Sequence, residues 1–158
     1  HKFGDDINTD YIISGRYKFK TLDMNELASH IFEDIDPDFS KKINAGDFIV
    51  AGNNFGCGSS REQAVLALKY AKIGAVIAKS FARIFFRNGI NVGLILIEAD
   101  TEKISQNDIL KVDITSGKIV NKTTNEVIPI NPLPDFLLQI IQEGGIINYL
   151  KKYRDFKI

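Results

Sequence analysis

The feature that most restricts this chain is an apolar run that passes into glycines and then a helix, followed at once by a second unit of the same kind. Residues 47–51 (Asp-Phe-Ile-Val-Ala) have the length and composition of a buried strand. The stretch 52–58 carries Gly52, Gly56 and Gly58, and helical spacing then runs from Arg61 to Lys72 before Gly74. Residues 75–78 give a second strand, Ser80 stands as an N-cap for a helix over 81–87, and residues 93–97 give a third strand. Strands alternating with helices in this way predict an α/β layer.

The flanks depart from that rhythm. Asp23 and Glu26 form a capping-box pattern ahead of Met24, Leu27, Ala28 and Ile31 at helical spacing, and residues 35–39, with Pro37 among acidic residues, predict a loop. In the last third, residues 110–114 and 118–120 flank Thr115-Ser116-Gly117 as a hairpin, and 125–130 adds a further strand. A helix over 136–141 is expected to follow Pro132 and Pro134 and to stop at Gly144-Gly145, with a short turn at 147–150. No repeat or linker divides the chain, so one domain over 1–158 is expected.

Composition removes several classes of function. Lys plus Arg equals Asp plus Glu at 20 each, which leaves no global field for nucleic acid or anionic membrane. Cys57 is the one cysteine, so the chain alone cannot supply the three or four thiolates of an iron-sulfur or zinc site. No apolar run approaches the roughly 20 residues of a membrane span, and the first residues lack the apolar core of a signal peptide. The expected location is the cytosol. At this length a fold buries roughly 70% of its extended surface, so stability does not demand a cofactor.

The residues with most chemistry stand between Asn53 and Gln63: two glycines, Ser59, Ser60 and Arg61 where a helix begins. A helix N-terminus presents unbonded N–H groups and positive dipole character, and a guanidinium can clamp a carboxylate through two parallel hydrogen bonds. Together they outline a carboxylic-acid site. Each serine also fits a capping box, Ser60 with Gln63 or Ser59 with Glu62. Cys57 reads more readily as a small residue in a tight loop than as a nucleophile, with no histidine near it in sequence. The stretch 4–10 is rich in Asp and Asn that either orient ligands or cap turns. Arg83 and Arg87 share a helical face and serve either an anion or solvent. His1 and His30 lack metal-ligand spacing.

Three ordered segments, Gly-Asp-Asp-Ile-Asn-Thr-Asp at 4–10, Asn-Phe-Gly-Cys-Gly-Ser-Ser-Arg-Glu at 54–62 and Ala-Lys-Ser-Phe-Ala-Arg-Ile-Phe at 78–85, together resemble the small subunits of 3-isopropylmalate dehydratase. Homoaconitase small subunits and the swivel domain of aconitases carry a similar pattern. The resemblance implies an α/β fold, an aconitase-like swivelling β/β/α domain, that closes over a large subunit bearing a four-iron four-sulfur cluster. It implies that Ser59 is the base that removes a proton from the substrate, that Ser60 and Arg61 hold a substrate carboxylate, and that Asp10 orders the active-site hydrogen bonds. It also implies that Tyr17, Lys18, Phe19, Lys20 and Thr21 form the segment that selects substrate. Phe19 stands where homoaconitase-like members carry an arginine, which suits an apolar isopropyl group, while Lys18 and Lys20 on either side offer charge to a carboxylate. The two lysines and the absence of proline predict that this segment is the least ordered inside the chain.

Overall fold

Three short helices precede the first strand: α1 (Thr9–Ile12), α2 (Met24–Ala28) and α3 (Phe39–Lys42). Asn8 caps α1 by accepting the Tyr11 N–H, and Asp23 caps α2 by accepting the Asn25 N–H at 2.8 Å. These helices belong to a computed structural model that describes residues 1–17, 23–59 and 61–154. Ser60, Lys18, Phe19, Lys20 and Thr21, with the expectation about order in that segment, lie outside the described residues.

Strands β1 (Phe48–Ala51), β2 (Ala75–Ala78) and β3 (Leu96–Glu98) form a parallel sheet in that order, with Ile49 opposite Val76 and Ile77 opposite Ile97. A parallel step needs a crossover, and α4 (Glu62–Tyr70) and α5 (Arg83–Val92) supply the two. Strands β4 (Leu110–Asp113), β5 (Lys118–Asn121) and β6 (Val127–Pro129) make an antiparallel meander, the hairpin character expected of the last third. Helices α6 (Asp135–Gln142) and α7 (Ile146–Tyr153) close the chain and pack with α5 through Ile90, Ile140 and Tyr149.

The period-2 alternation of the parallel strands explains the layering. Ile49, Ala51, Val76, Ala78 and Leu96 point to one side, into a core shared with Ala64, Leu68 and Phe85 of the helices. Val50, Ala75, Ile77 and Ile97 point to the other, against Ile104, Ile119, Ile128 and Ile130. The result is meander, parallel sheet and helices, the β/β/α order implied by the resemblance. Each fully buried side chain such as Ile77 contributes about 1.5–3 kcal/mol, so a register slip that turned these strands over would be costly.

Several boundaries differ from the sequence expectation. The helix after Asp23 stops at Ala28 rather than reaching Ile31, because the Ser29 hydroxyl bonds back to the Glu26 carbonyl and Phe32 adopts a left-handed φ of 55°. Ile31 is nonetheless buried, carried inward by the turn. Helix α4 begins at Glu62 with Arg61 as N-cap, so Ser59 does not hold the capping position, and it ends at Tyr70 with left-handed Lys72, ahead of Gly74. Helix α5 starts at Arg83 and runs to Val92, where Gly93 is its left-handed C-cap and not the start of a strand. Ser80 does not cap α5, because its hydroxyl oxygen accepts the Asn54 N–H at 2.8 Å.

Candidate active site

The three sequence segments lie side by side in space. The backbone of residues 52–57 is the middle member: the Gly52 and Gly56 N–H groups donate to Gly4 and Ile7 carbonyls at 3.0 and 2.7 Å, and the Thr9 N–H donates to Cys57 O at 2.9 Å. On its other side Phe55 N–H donates to Ser80 O and Ala82 N–H to Phe55 O, at 3.0 and 2.9 Å. These bonds hold residues 80–82 extended, which is why α5 starts later than its sequence pattern suggests.

Carboxylates of the first segment fix the glycine loop. Asp5 Oδ1 accepts the Asn53 N–H at 2.5 Å, and Asp6 Oδ1 accepts from Asn54 Nδ2 at 2.8 Å. Of the two roles open to these acids, this is the turn-forming one. Gly56 adopts φ of 79°, and a Cβ there would stand 2.1 Å from the Phe85 ring, so the loop can approach α5 only without a side chain.

Arg61 ends the loop as the N-cap of α4 and makes no side-chain cap bond, so the first N–H groups of the helix are not consumed by their own N-cap side chain. Its Nη1 lies 2.5 Å from Asp10 Oδ1. Buried Nη1 is charge-paired with Asp10 and has no further hydrogen-bond partner among the described residues. The charges are therefore paired while the guanidinium retains donor capacity. Arg61, Thr9, Gly58, Arg83 and Asn88 line a cavity of about 240 Å³ between the glycine loop and the start of α5.

Ser59 stands exposed on the turn beside this cavity, and its carbonyl accepts the buried Thr9 hydroxyl at 2.7 Å. Thr9 thus fixes the serine turn, a role the sequence reading did not assign although Thr9 precedes Asp10 in the first segment. Gly15 was also missed: a Cβ on it would lie 3.1 Å from Arg61 Nη1 and 3.5 Å from Asp10 Oδ1, so its backbone packs on the ion pair.

The remaining candidates stand around this centre or away from it. Burial first, and Asp6 second, push the Cys57 thiol above its ordinary pKa, which disfavours a nucleophilic thiolate. Arg83 and Arg87 are both exposed, and of the two Arg83 lines the cavity. Tyr17 ends a short 3-10 turn, Gly15–Tyr17, and is held by Glu33 and His30. In the sequence His30 stands as an isolated histidine and Glu33 carries no signal of its own. A larger cleft of about 370 Å³ beside Pro132 and Pro134 is lined mainly by apolar residues, with Glu98 and Asn131 among them. Among the described residues, no three His, Cys, Asp or Glu side chains are grouped to hold a metal, and no helix is long and apolar enough to cross a membrane.

A three-layer fold with a glycine loop feeding Arg61 into a helix start defines a class, and the aconitase C-terminal domain family matches residues 17–102. A 3-isopropylmalate dehydratase small subunit of Archaeoglobus fulgidus is 57% identical over 99% of this chain and 95% of its own length. A methanogen homoaconitase small subunit of Methanocaldococcus jannaschii is 55% identical over 96% of this chain and 89% of its own. The crystal structure of a 3-isopropylmalate dehydratase from the same organism superposes with a TM-score of 0.93 at 55% identity, covering 98% of this chain and 92% of that one. The chain belongs to the 3-isopropylmalate dehydratase small-subunit family, hydro-lyases of the aconitase type.

Proposed function

We propose that this chain, acting as one swivel domain over residues 1–158, pairs with a large subunit bearing a four-iron four-sulfur cluster. Together they interconvert 2-isopropylmalate and 3-isopropylmalate by dehydration and rehydration, a step of leucine biosynthesis. The observation that carries the reading is Arg61, paired with Asp10 at the start of α4 and lining a cavity beside the Ser59 turn. The family resemblance supports the same assignment of roles.

Ser59 takes the proton from the substrate carbon, and Ser60 and Arg61 hold a carboxylate. A serine is a poor base, but the N-terminus of α4 and the Arg61 guanidinium favour its anion. Asp10 keeps Arg61 aimed while leaving it donor capacity for a ligand. With one cysteine, this chain does not fit a cluster of its own. The partner's cluster would supply a Lewis acid for the departing hydroxyl. The segment Tyr17, Lys18, Phe19, Lys20 and Thr21 selects substrate, with Phe19 suited to the isopropyl group. The proposed location is the cytoplasm.

The test is anaerobic reconstitution with the cognate large subunit and rates on 3-isopropylmalate, homoaconitate and citrate, with and without this chain. Isopropylmalate turnover that needs both chains supports the proposal, and preference for homoaconitate would move the substrate while keeping the chemistry. Ser59→Ala should lower kcat by about 10²–10⁴-fold with substrate affinity little changed. Retained turnover would contradict the assigned base.

A further inference from the structure

Tyr17 is held by more interactions than a surface tyrosine needs. Its hydroxyl donates to Glu33, 2.8 Å from Oε2 and 3.0 Å from Oε1, and its ring stacks on His30 with centroids 4.0 Å apart and planes at 16°. His30 Nδ1 lies 2.6 Å from Glu33 Oε2, so carboxylate, imidazole and phenol form a closed triangle. Arg16 stands 3.7 Å from Glu33 and is ion-paired with Asp34. The turn that carries Glu33 is itself fixed: Phe32 is fully buried, and its N–H donates to Ile12 O at 3.0 Å. Glu33 is thus a carboxylate on a rigid support.

The position of this triangle gives it a meaning beyond local stability. Tyr17 closes the same three-residue turn whose first member, Gly15, packs on the Arg61–Asp10 pair. One end of the turn therefore registers on the proposed carboxylate clamp and the other on Glu33. Fixing both ends sets the separation between the clamp and the first residue of the proposed selectivity segment. A rotation of the Tyr17 ring would change that separation without touching Arg61 or Ser59.

Resting on the reading above, we propose that Glu33 is a positioning residue for substrate selection, acting through Tyr17 with His30 as the second support. Its loss is felt in the recognition of the branched side of the substrate and not in proton removal. The amide of Glu33→Gln can still accept the Tyr17 hydroxyl, whereas Glu33→Ala and Tyr17→Phe cannot form that bond.

The experiment uses the chain reconstituted with its iron-sulfur large subunit and compares 3-isopropylmalate with unbranched malate. Glu33→Ala and Tyr17→Phe should each raise KM for isopropylmalate about tenfold, keep kcat within about twofold, and reduce the preference for the branched acid, while Glu33→Gln stays near wild type. Loss of kcat at unchanged KM and preference would overturn the proposal. A wild-type complex inactive on every acid would instead sink the functional reading. The positioning is then judged on the free full-length chain by trypsin. Cleavage after Arg16, inside the Gly15–Tyr17 turn and ion-paired with Asp34, should accelerate about tenfold in Tyr17→Phe and Glu33→Ala relative to cleavage after Lys69, whose ammonium bonds the Val92 and Gly144 carbonyls. Equal cleavage in all variants would overturn the positioning role.

Discussion

Arg61 Nη1 lies 2.5 Å from Asp10 Oδ1, joining the N-cap of one helix to the first turn of another. Half of the Asp10 side chain is exposed, so solvent screens the pair and its stability contribution is small, about 1 kcal/mol or less. Its value is directional, since it fixes a guanidinium whose own side chain is largely buried.

Asp10→Asn should consequently lower kcat/KM by about tenfold or more while shifting the melting temperature little. Steady-state kinetics of the reconstituted complex and a thermal melt of the free chain check both halves. A large loss of stability with unchanged kinetics would assign Asp10 a purely structural role.

Gly56→Ala should be among the most destabilising single-methyl changes in the chain. The added Cβ meets the Phe85 ring at 2.1 Å, and φ of 79° strains any L side chain. Displacing a buried ring in a packed core costs about 1–3 kcal/mol, and the backbone strain adds about 1 kcal/mol or more. Urea unfolding measures the sum, and a variant within about 0.5 kcal/mol of wild type would contradict the described loop.

Cys57 should behave as a spectator. Its thiol titrates above the ordinary cysteine value, so the reactive thiolate is scarce at neutral pH and grows only as pH rises through that elevated pKa. Iodoacetamide should alkylate it more slowly than a free cysteine near pH 7.5, with the rate still climbing at higher pH. Cys57→Ala should keep kcat within about twofold of wild type.

The parallel strands were legible because buried β-structure writes its burial into contiguous apolar residues, as at Ile49, Val50, Ala75, Val76 and Ile77, and the meander was legible from the Thr115-Ser116-Gly117 turn between its first two strands. Helix starts were less legible where a side chain serves a distant partner. Ser80 looks like an N-cap in sequence, yet its hydroxyl oxygen serves Asn54, 26 positions away. Ser59 likewise matches a capping box with Glu62, but Arg61 occupies the cap of α4. The candidate site was recognisable as three segments, and their convergence was not, because the bonds between them join residues some 25 to 50 positions apart. The Tyr17–Glu33–His30 triangle left no sequence signal.

Thr9 supplies the final prediction, because it separates the position of the serine turn from its chemistry. Its buried hydroxyl donates to the Ser59 carbonyl at 2.7 Å, and valine has nearly the same shape without the donor. Ser59 is exposed, so water can satisfy the freed carbonyl, and Thr9→Val should cost only about 0.5–1.5 kcal/mol of stability. The turn then loses its tether, and a base displaced by even a fraction of an ångström loses alignment with the proton it must take. Thr9→Val should therefore lower kcat by about tenfold with KM nearly unchanged, whereas Thr9→Ser, which keeps the donor, should restore most of kcat. Equal activity in both variants would show that the Thr9 bond serves only to hold the loop, and that the position of Ser59 is set elsewhere.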